Sequence, residues 1–190
     1  MRYGTIAVAG LLVAMSAGGA QSSKPVRLEV RPFVGRYVPA GTQGQDFKQA
    51  STFGLQGALE LSSYIHVLAS LGQTNSHSKI GALIVDQTRM LQYDLGMEVN
   101  GMRELGPRYL LRPFVGVGAG ARSYSYKEPG ITTSTSAAGY GAVGSELQRG
   151  SVAVRLEARS YVSRFNTPLT TEEHFRNDMS FMFGLAYHIF

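Results

Sequence analysis

The chain contains no cysteine and no tryptophan among its 190 residues. Without a thiol it forms no disulfide, carries out no thiolate chemistry and offers no acceptor for a lipoprotein anchor. Beyond the first twenty residues, no run of ~18 apolar residues occurs, so a membrane-spanning helix is excluded. Lysine and arginine exceed aspartate and glutamate by 18 to 13, but no basic run or stripe exists, and a nucleic-acid partner is not expected. Metal-ligand spacings, phosphate loops and nucleophile elbows are also missing from the linear sequence, and no cofactor is expected. What the chain does have is 23 glycines, 7 prolines and abundant Val, Leu, Tyr and Phe, a mixture that suits strands and turns.

The first twenty residues read as a secretory signal peptide. Arg2 supplies a positive start, Ile6 to Met15 an apolar stretch, and Ser16 to Ala20 a run of small residues. Cleavage is expected after Ala20. That leaves residues 21–190 as one domain, with the net charge falling from +5 to +4 as Arg2 is lost.

The rest of the chain is organised around its last eleven residues, Ser180 to Phe190. Phe181, Phe183, Leu185, Tyr187 and Ile189 alternate with Met182, Gly184, Ala186 and His188. A period of two is a β-strand with one apolar face. The same period predicts seven earlier strands: Val26 to Val38, Thr52 to Leu61, Tyr64 to Leu71, Met90 to Val99, Tyr109 to Ala121, Ala138 to Gln148 and Ser151 to Ser163. Pro32 cannot donate to a ladder and marks a bulge or a locally unpaired position in the first strand. Ser62-Ser63, Asn100 to Pro107 and Arg149-Gly150 are expected as short turns. Long loops are expected at 39–51, 72–88, 122–136 and 164–178. The apolar run Ile80 to Val85 is read either as the early part of the fourth strand or as a loop that packs inward. Arg31 to Gly35 and Arg112 to Gly116 repeat the sequence R-P-F-V-G, in strands one and five.

Eight strands with connections alternating long and short predict an all-β fold, an eight-stranded antiparallel up-and-down transmembrane β-barrel. Even strand number puts both ends of the chain on the side of the short turns. Alternation alone leaves the lumen face open. The charged face also carries Gly54, Gly96, Gly116, Gly118, Gly120, Gly144 and Gly184, which make room inside a narrow barrel. The apolar face is too bulky to fit within eight strands. The apolar set is therefore placed toward lipid. Tyr64, Tyr109 and Tyr187 are expected as an aromatic girdle near the short turns, and Phe53, Tyr124, Tyr126 and Phe165 near the other rim.

With these features the chain resembles the OmpA/OmpX-type eight-stranded outer-membrane β-barrel domains. The resemblance rests on the strand rhythm, on Leu91 to Gly96, on Gly184 to Phe190 and on the terminal aromatic, and it covers residues 26–190. It implies a bacterial outer-membrane location, contact with outer-membrane lipid and reading of the last strand by the barrel assembly machinery. A monomer is expected. One departure stands out: members of such families usually end Tyr-x-Phe, whereas here Tyr187 and Phe190 have opposite parity and Ile189 takes the usual slot. The expected assembly strand is Phe181, Phe183, Leu185, Tyr187, Ile189 and Phe190.

The charges expected inside are Arg27, Glu29, Arg31, Glu60, Asp94, Glu98, Arg112, Glu146, Arg155, Glu157 and Arg159. Buried charges must be paired. Their near-balance of sign favours a structural ion-pair network filling the lumen over an ion-selective constriction. If Arg149-Gly150 is the turn, Gln148 pairs with Ser151, Glu146 with Ala153, and Glu146 lies diagonal to Arg155. Above the charges, Gly116, Gly118, Gly120 and Tyr140 are expected to border a shallow outward cavity. His66 and His188 are expected inside; His77 and His174 are expected in loops. The expected role is structural, adhesive or small-solute, without enzyme activity. The alternatives are a lipid-modifying barrel enzyme, drawing on Ser76-His77-Ser78 or Glu172-Glu173-His174, and a soluble lipocalin-like ligand-binding barrel. Lipocalins usually carry a tryptophan near their start, which this chain lacks.

Overall fold

The computed structural model describes residues 27–39, 49–80, 83–126, 134–166 and 173–189. Eight long strands run in chain order: β1 (Arg27–Pro39), β2 (Ala50–Ser62), β3 (Ile65–Ile80), β4 (Leu83–Asn100), β5 (Leu110–Tyr126), β6 (Ser134–Arg149), β7 (Val152–Asn166) and β8 (Glu173–Ile189). Each pairs antiparallel with its sequence neighbours, and β1 pairs with β8 to close the barrel. Closure leaves no free edge, so the backbone hydrogen bonds are met within the barrel wall. This is the eight-stranded antiparallel barrel the alternation predicts.

Pro32 is accommodated where the ladder allows it. The β1–β2 register runs unbroken through Pro32↔Leu55, but on the β8 side pairing skips from Val30↔Tyr187 to Phe33↔Gly184. Pro32 thus sits at a locally unpaired position beside the closing strand, and no residue is inserted.

Several boundaries differ from the sequence reading. The 72–88 segment is no loop: β3 and β4 continue as a paired hairpin, with Thr74↔Met90 and Ser76↔Thr88 and a register shift between Ser76 and Ser78. Of the apolar run, Ile80 ends β3 opposite Leu83, and Leu83 to Val85 open β4; residues 81–82 lie outside the described residues. Likewise β5 extends to Tyr126, β6 begins at Ser134 and β8 begins at Glu173. Ser, Thr, Asn and Gln alternate less visibly than Val against Glu, so the polar upper reaches of these strands do not stand out by hydropathy. At the opposite end, the Asn100–Pro107 turn contains its own short ladder, Arg103↔Leu111 and Glu104↔Leu110, with Gly106 at φ 91°. The β6–β7 turn is Gly150-Ser151, one residue later than expected, and Arg149 pairs with Val152. Gly150 adopts φ 62°, a left-handed conformation that favours glycine. The β2–β3 turn is likewise Ser63-Tyr64, with a bulge between Glu60 and Ser62.

The two faces of the wall have opposite chemistry. Val34, Leu55, Leu95, Val115, Val117, Leu156 and Phe183 are exposed on the outside. Glu29, Arg31, Asp94, Glu98, Arg122, Arg159 and Asp178 are buried inside. Tyr64, Tyr109 and Tyr187 point outward near the short turns, and Phe53 points outward toward the other end. Tyr124 does not join them. It shares parity with Arg112 and Arg122 and is buried in the lumen beside Tyr37 and Met90. The side chains of Tyr126 and Phe165, all of residues 1–26 and Phe190 lie outside the described residues.

Candidate functional site: the charged lumen

Strand register determines which inward side chains meet. At the centre, Arg31 from β1 spans the lumen. Its Nη1 donates to Gln56 Oε1 and to Glu98 Oε1, each at 3.1 Å, and its guanidinium also bonds Glu29. Glu98 is shared: Arg155 Nη2 donates to its other oxygen at 2.7 Å. Arg155 donates in turn through Nε to Glu157 Oε2 at 3.0 Å and stacks on the Phe114 ring, 3.6 Å from its centroid. Glu157 reaches Arg159 on its other side. Alternate residues of β7 therefore form a charge ladder, because positions i and i+2 of one strand share a face.

Above this layer lies a polar knot. Asp94 Oδ2 accepts from Arg159 Nη1 at 3.0 Å, Gln92 Nε2 at 2.7 Å and Tyr161 Oη at 2.8 Å. Tyr140 lies over the Arg159 guanidinium, 4.7 Å from ring centroid to cation. Tyr140 also occupies the space that Gly118 and Gly96 leave: a Cβ on Gly118 would overlap both the Tyr140 ring and the Leu95 carbonyl. Phe33 fills the space over Gly54 and Phe114 that over Gly144. Where an outward cavity was expected, the Tyr140 ring stands against Gly118, Asp94 against Gly120, and Glu98 and Ala142 against Gly116. The gap bounded by Arg31, Phe33, Gln56, Arg155, Glu157 and Arg159 holds about 10 Å³, the volume of roughly one water.

A further pair, absent from the sequence reading, closes the far end. Arg122 Nη1 donates to Asp178 Oδ2 at 2.7 Å, and the guanidinium lies 4.0 Å from the Tyr161 centroid and 5.7 Å from that of Tyr37. Both residues fall in segments read as loops. The available signal was parity: Arg122 continues the even series of Arg112, and Asp178 the even series of Ser180, Met182 and Gly184.

Near the short turns, Glu29, Glu60, His66, Arg112, Glu146 and His188 converge. Glu146 stands directly opposite Arg155 and Arg112 in the ladders, not diagonal, because the Gly150-Ser151 turn moves the register. Arg155 Nη1 lies 3.6 Å from Glu146 Oε2. His66 Nδ1 lies 3.2 Å from Glu98 Oε1, and His188 Nδ1 lies 2.9 Å from Glu29 Oε1. Glu60 is half-buried. Arg27 departs from expectation: as the first residue of β1 it is exposed, outside the enclosed group. His77 and His174 occupy strand positions in β3 and β8, not loops, and their side chains lie outside the described residues.

No protein-family model matches the sequence, and no curated protein matches it. Solved structures do match by fold. The outer membrane protein OprG from Pseudomonas aeruginosa aligns with a TM-score of 0.62 at 12% identity, covering 86% of this chain and 96% of that one. Neisserial surface protein A aligns at 0.59 and 10% identity, covering 84% and 96%. Ail, the attachment invasion locus protein of Yersinia pestis, solved with the heparin analogue sucrose octasulfate, aligns at 0.53 and 11% identity, covering 86% and 99%. Closed antiparallel topology, outward apolar residues and these alignments lead to one statement: the chain has the fold of the OmpA/OmpX-type eight-stranded outer-membrane barrels.

Proposed function

We propose that this protein is a small, monomeric integral protein of the bacterial outer membrane, exported by a signal peptide cleaved after Ala20, with a lumen closed by its ion-pair network. It acts as a scaffold that holds extended hairpins beyond the bilayer, in a structural or adhesive role and without enzyme activity. The observation that carries this reading is the inversion of the wall. Side chains such as Val117, 68% exposed, and Val34, 59% exposed, face out, while Arg159 and Glu98, each 1% exposed, face in. Only an apolar solvent outside makes that arrangement stable. A lipocalin-like soluble barrel requires the reverse.

Closure is supported by the roughly one-water gap at the Arg31 layer and by the sharing of Glu98 between two arginines. Outside, a furrow of about 800 Å³ crosses β2, β1, β8, β7 and β6, walled by Val34, Phe53, Val143, Leu156, Phe181 and Phe183. Acyl chains of outer-membrane lipid would fill it. During biogenesis β8 would be the strand that the barrel assembly machinery reads. The test is outer-membrane fractionation combined with heat-dependent mobility in detergent gels. Recovery in the outer membrane with a heat-sensitive, faster-migrating folded band is expected. A freely soluble, detergent-independent protein overturns the reading. Unchanged lipid A acylation on expression would separate it from a lipid-modifying enzyme.

A further inference from the structure

The lumen near the short turns is electrostatically unfinished. Among the described residues between the chain-end mouth and the Asp94 level, six inward carboxylates (Glu29, Glu60, Asp94, Glu98, Glu146, Glu157) face four enclosed arginines. Two imidazoles, His66 and His188, stand among these acids. Buried carboxylates in excess of their cations are costly unless another positive group neutralises them. Glu146 is the least satisfied. It is 2% exposed, yet neither of its oxygens has a hydrogen-bond partner. Its Oε2 faces the arginines at stand-off distances, 3.6 Å from Arg155 and 3.9 Å from Arg31. Its Oε1 instead faces His188 Nε2 at 3.7 Å, and that nitrogen is also buried without a partner.

We propose that Glu29, Glu146 and His188 form a binding site for a divalent transition-metal ion of the zinc class. One oxygen from each carboxylate and one imidazole nitrogen lie within 4.8 Å of one another, and all three residues are buried. One nitrogen and two carboxylate oxygens are a ligand set that zinc takes, leaving a fourth position for water; calcium and magnesium prefer all-oxygen shells of higher number. The ion's two positive charges match the excess of two carboxylates.

Glu29, Glu60 and His66 form a second group of the same chemistry that shares Glu29. It is the poorer site, because Glu60 is only half-buried and Arg31 Nη2 lies 3.3 Å from the His66 Nδ1 nitrogen itself; at the chosen site the guanidiniums approach carboxylate oxygens instead, Arg112 Nη1 at 3.5 Å from Glu29 Oε1 and Arg155 Nη1 at 3.6 Å from Glu146 Oε2. The chosen site lies at the chain-end side of the barrel. Glu29 is the third residue of β1 and His188 the second-last of β8, and they are paired in the ladder beside the barrel mouth. Because Glu29, Glu146 and His188 come from β1, β6 and β8, the ion would clip the first strand to the last across the closing seam.

Zinc binding to the full chain, folded in detergent, tests this by chelator competition. The chain carries His77→Gln and His174→Gln, so that His66 and His188 are its only imidazoles. The expected result is one zinc per chain, a higher temperature for loss of the folded gel band when zinc is present, and at least about tenfold weaker binding in His188→Gln and Glu146→Gln. His66→Gln should bind within about threefold of the parent. The gel band reports whether each variant is folded. X-ray absorption of the zinc-loaded parent, which needs no further substitution, should show an all-N/O shell with one imidazole. No zinc binding by the folded parent, two or more imidazoles in the shell, or loss with His66→Gln and not His188→Gln would each overturn the proposal.

Discussion

At the residue scale, the lumen depends on shared partners. Glu98 is hydrogen-bonded to Arg31 and Arg155 and lies 3.2 Å from His66 Nδ1. Glu98→Ala leaves two buried guanidiniums with fewer counter-charges. A loss of about 3–5 kcal/mol is expected, measured by urea unfolding of the barrel in lipid vesicles. A result within 0.5 kcal/mol of the parent, roughly the scatter of a neutral surface change, would show that water replaces the carboxylate at no cost. Gly118 is a steric case. Its Cβ position overlaps the Tyr140 ring and the Leu95 carbonyl, and the backbone atom cannot move aside as a flexible side chain can. Gly118→Val should therefore abolish the heat-modifiable band, whereas Gly141→Ala should retain it, since no atom lies within 4 Å of the added Cβ.

At the element scale, the two faces of one strand obey different rules. Leu95 is 57% exposed on the outer face of β4, midway between Asn100 and Met90. Leu95→Arg places a cation in the lipid-facing belt, and a destabilisation of about 2–4 kcal/mol is expected; vesicle unfolding reads it. Strand β8 carries the closing seam, pairing with β1 from Leu28↔Ile189 to Pro39↔Asp178. Replacing Phe181, Phe183 and Tyr187 with serine should abolish outer-membrane assembly. Deleting Phe190 alone should weaken it less, because Ile189 already completes the outward series. Equal loss from both would show that the terminal Phe190 is the recognised end. Strand existence was readable in all eight cases because each has a core where Val, Leu or Phe alternates with charge or glycine. The upper parts of β3 to β6 and of β8 were not, because polar alternation such as Gln73-Thr74-Asn75 carries no hydropathic contrast.

At the scale of the whole molecule, the proposed closure of the lumen predicts poor conduction. In planar bilayers the folded protein should give no large, stable current, and sustained currents at neutral pH and moderate salt would show that the network opens. A wall that is apolar outside and charged inside also requires detergent or lipid for solubility, a property of the assembled barrel and of no single strand.

Alternation, and with it the strand number, the outward belt and most of the inward charges, follows from the order of residues alone. That information is local: a period of two needs only neighbouring residues. Which charges meet was decided by the tertiary structure. Arg31 lies 67 positions from Glu98, and Arg159 lies 65 from Asp94. Such pairs depend on register around the barrel, which the turns set. A one-residue difference at Gly150-Ser151 brings Glu146 directly opposite Arg155. Closure likewise brings Glu29 and His188, near opposite ends of the chain, into one ladder pair beside Glu146. Alternation along a strand assigns a side chain to a face, and only pairing between strands assigns it a partner.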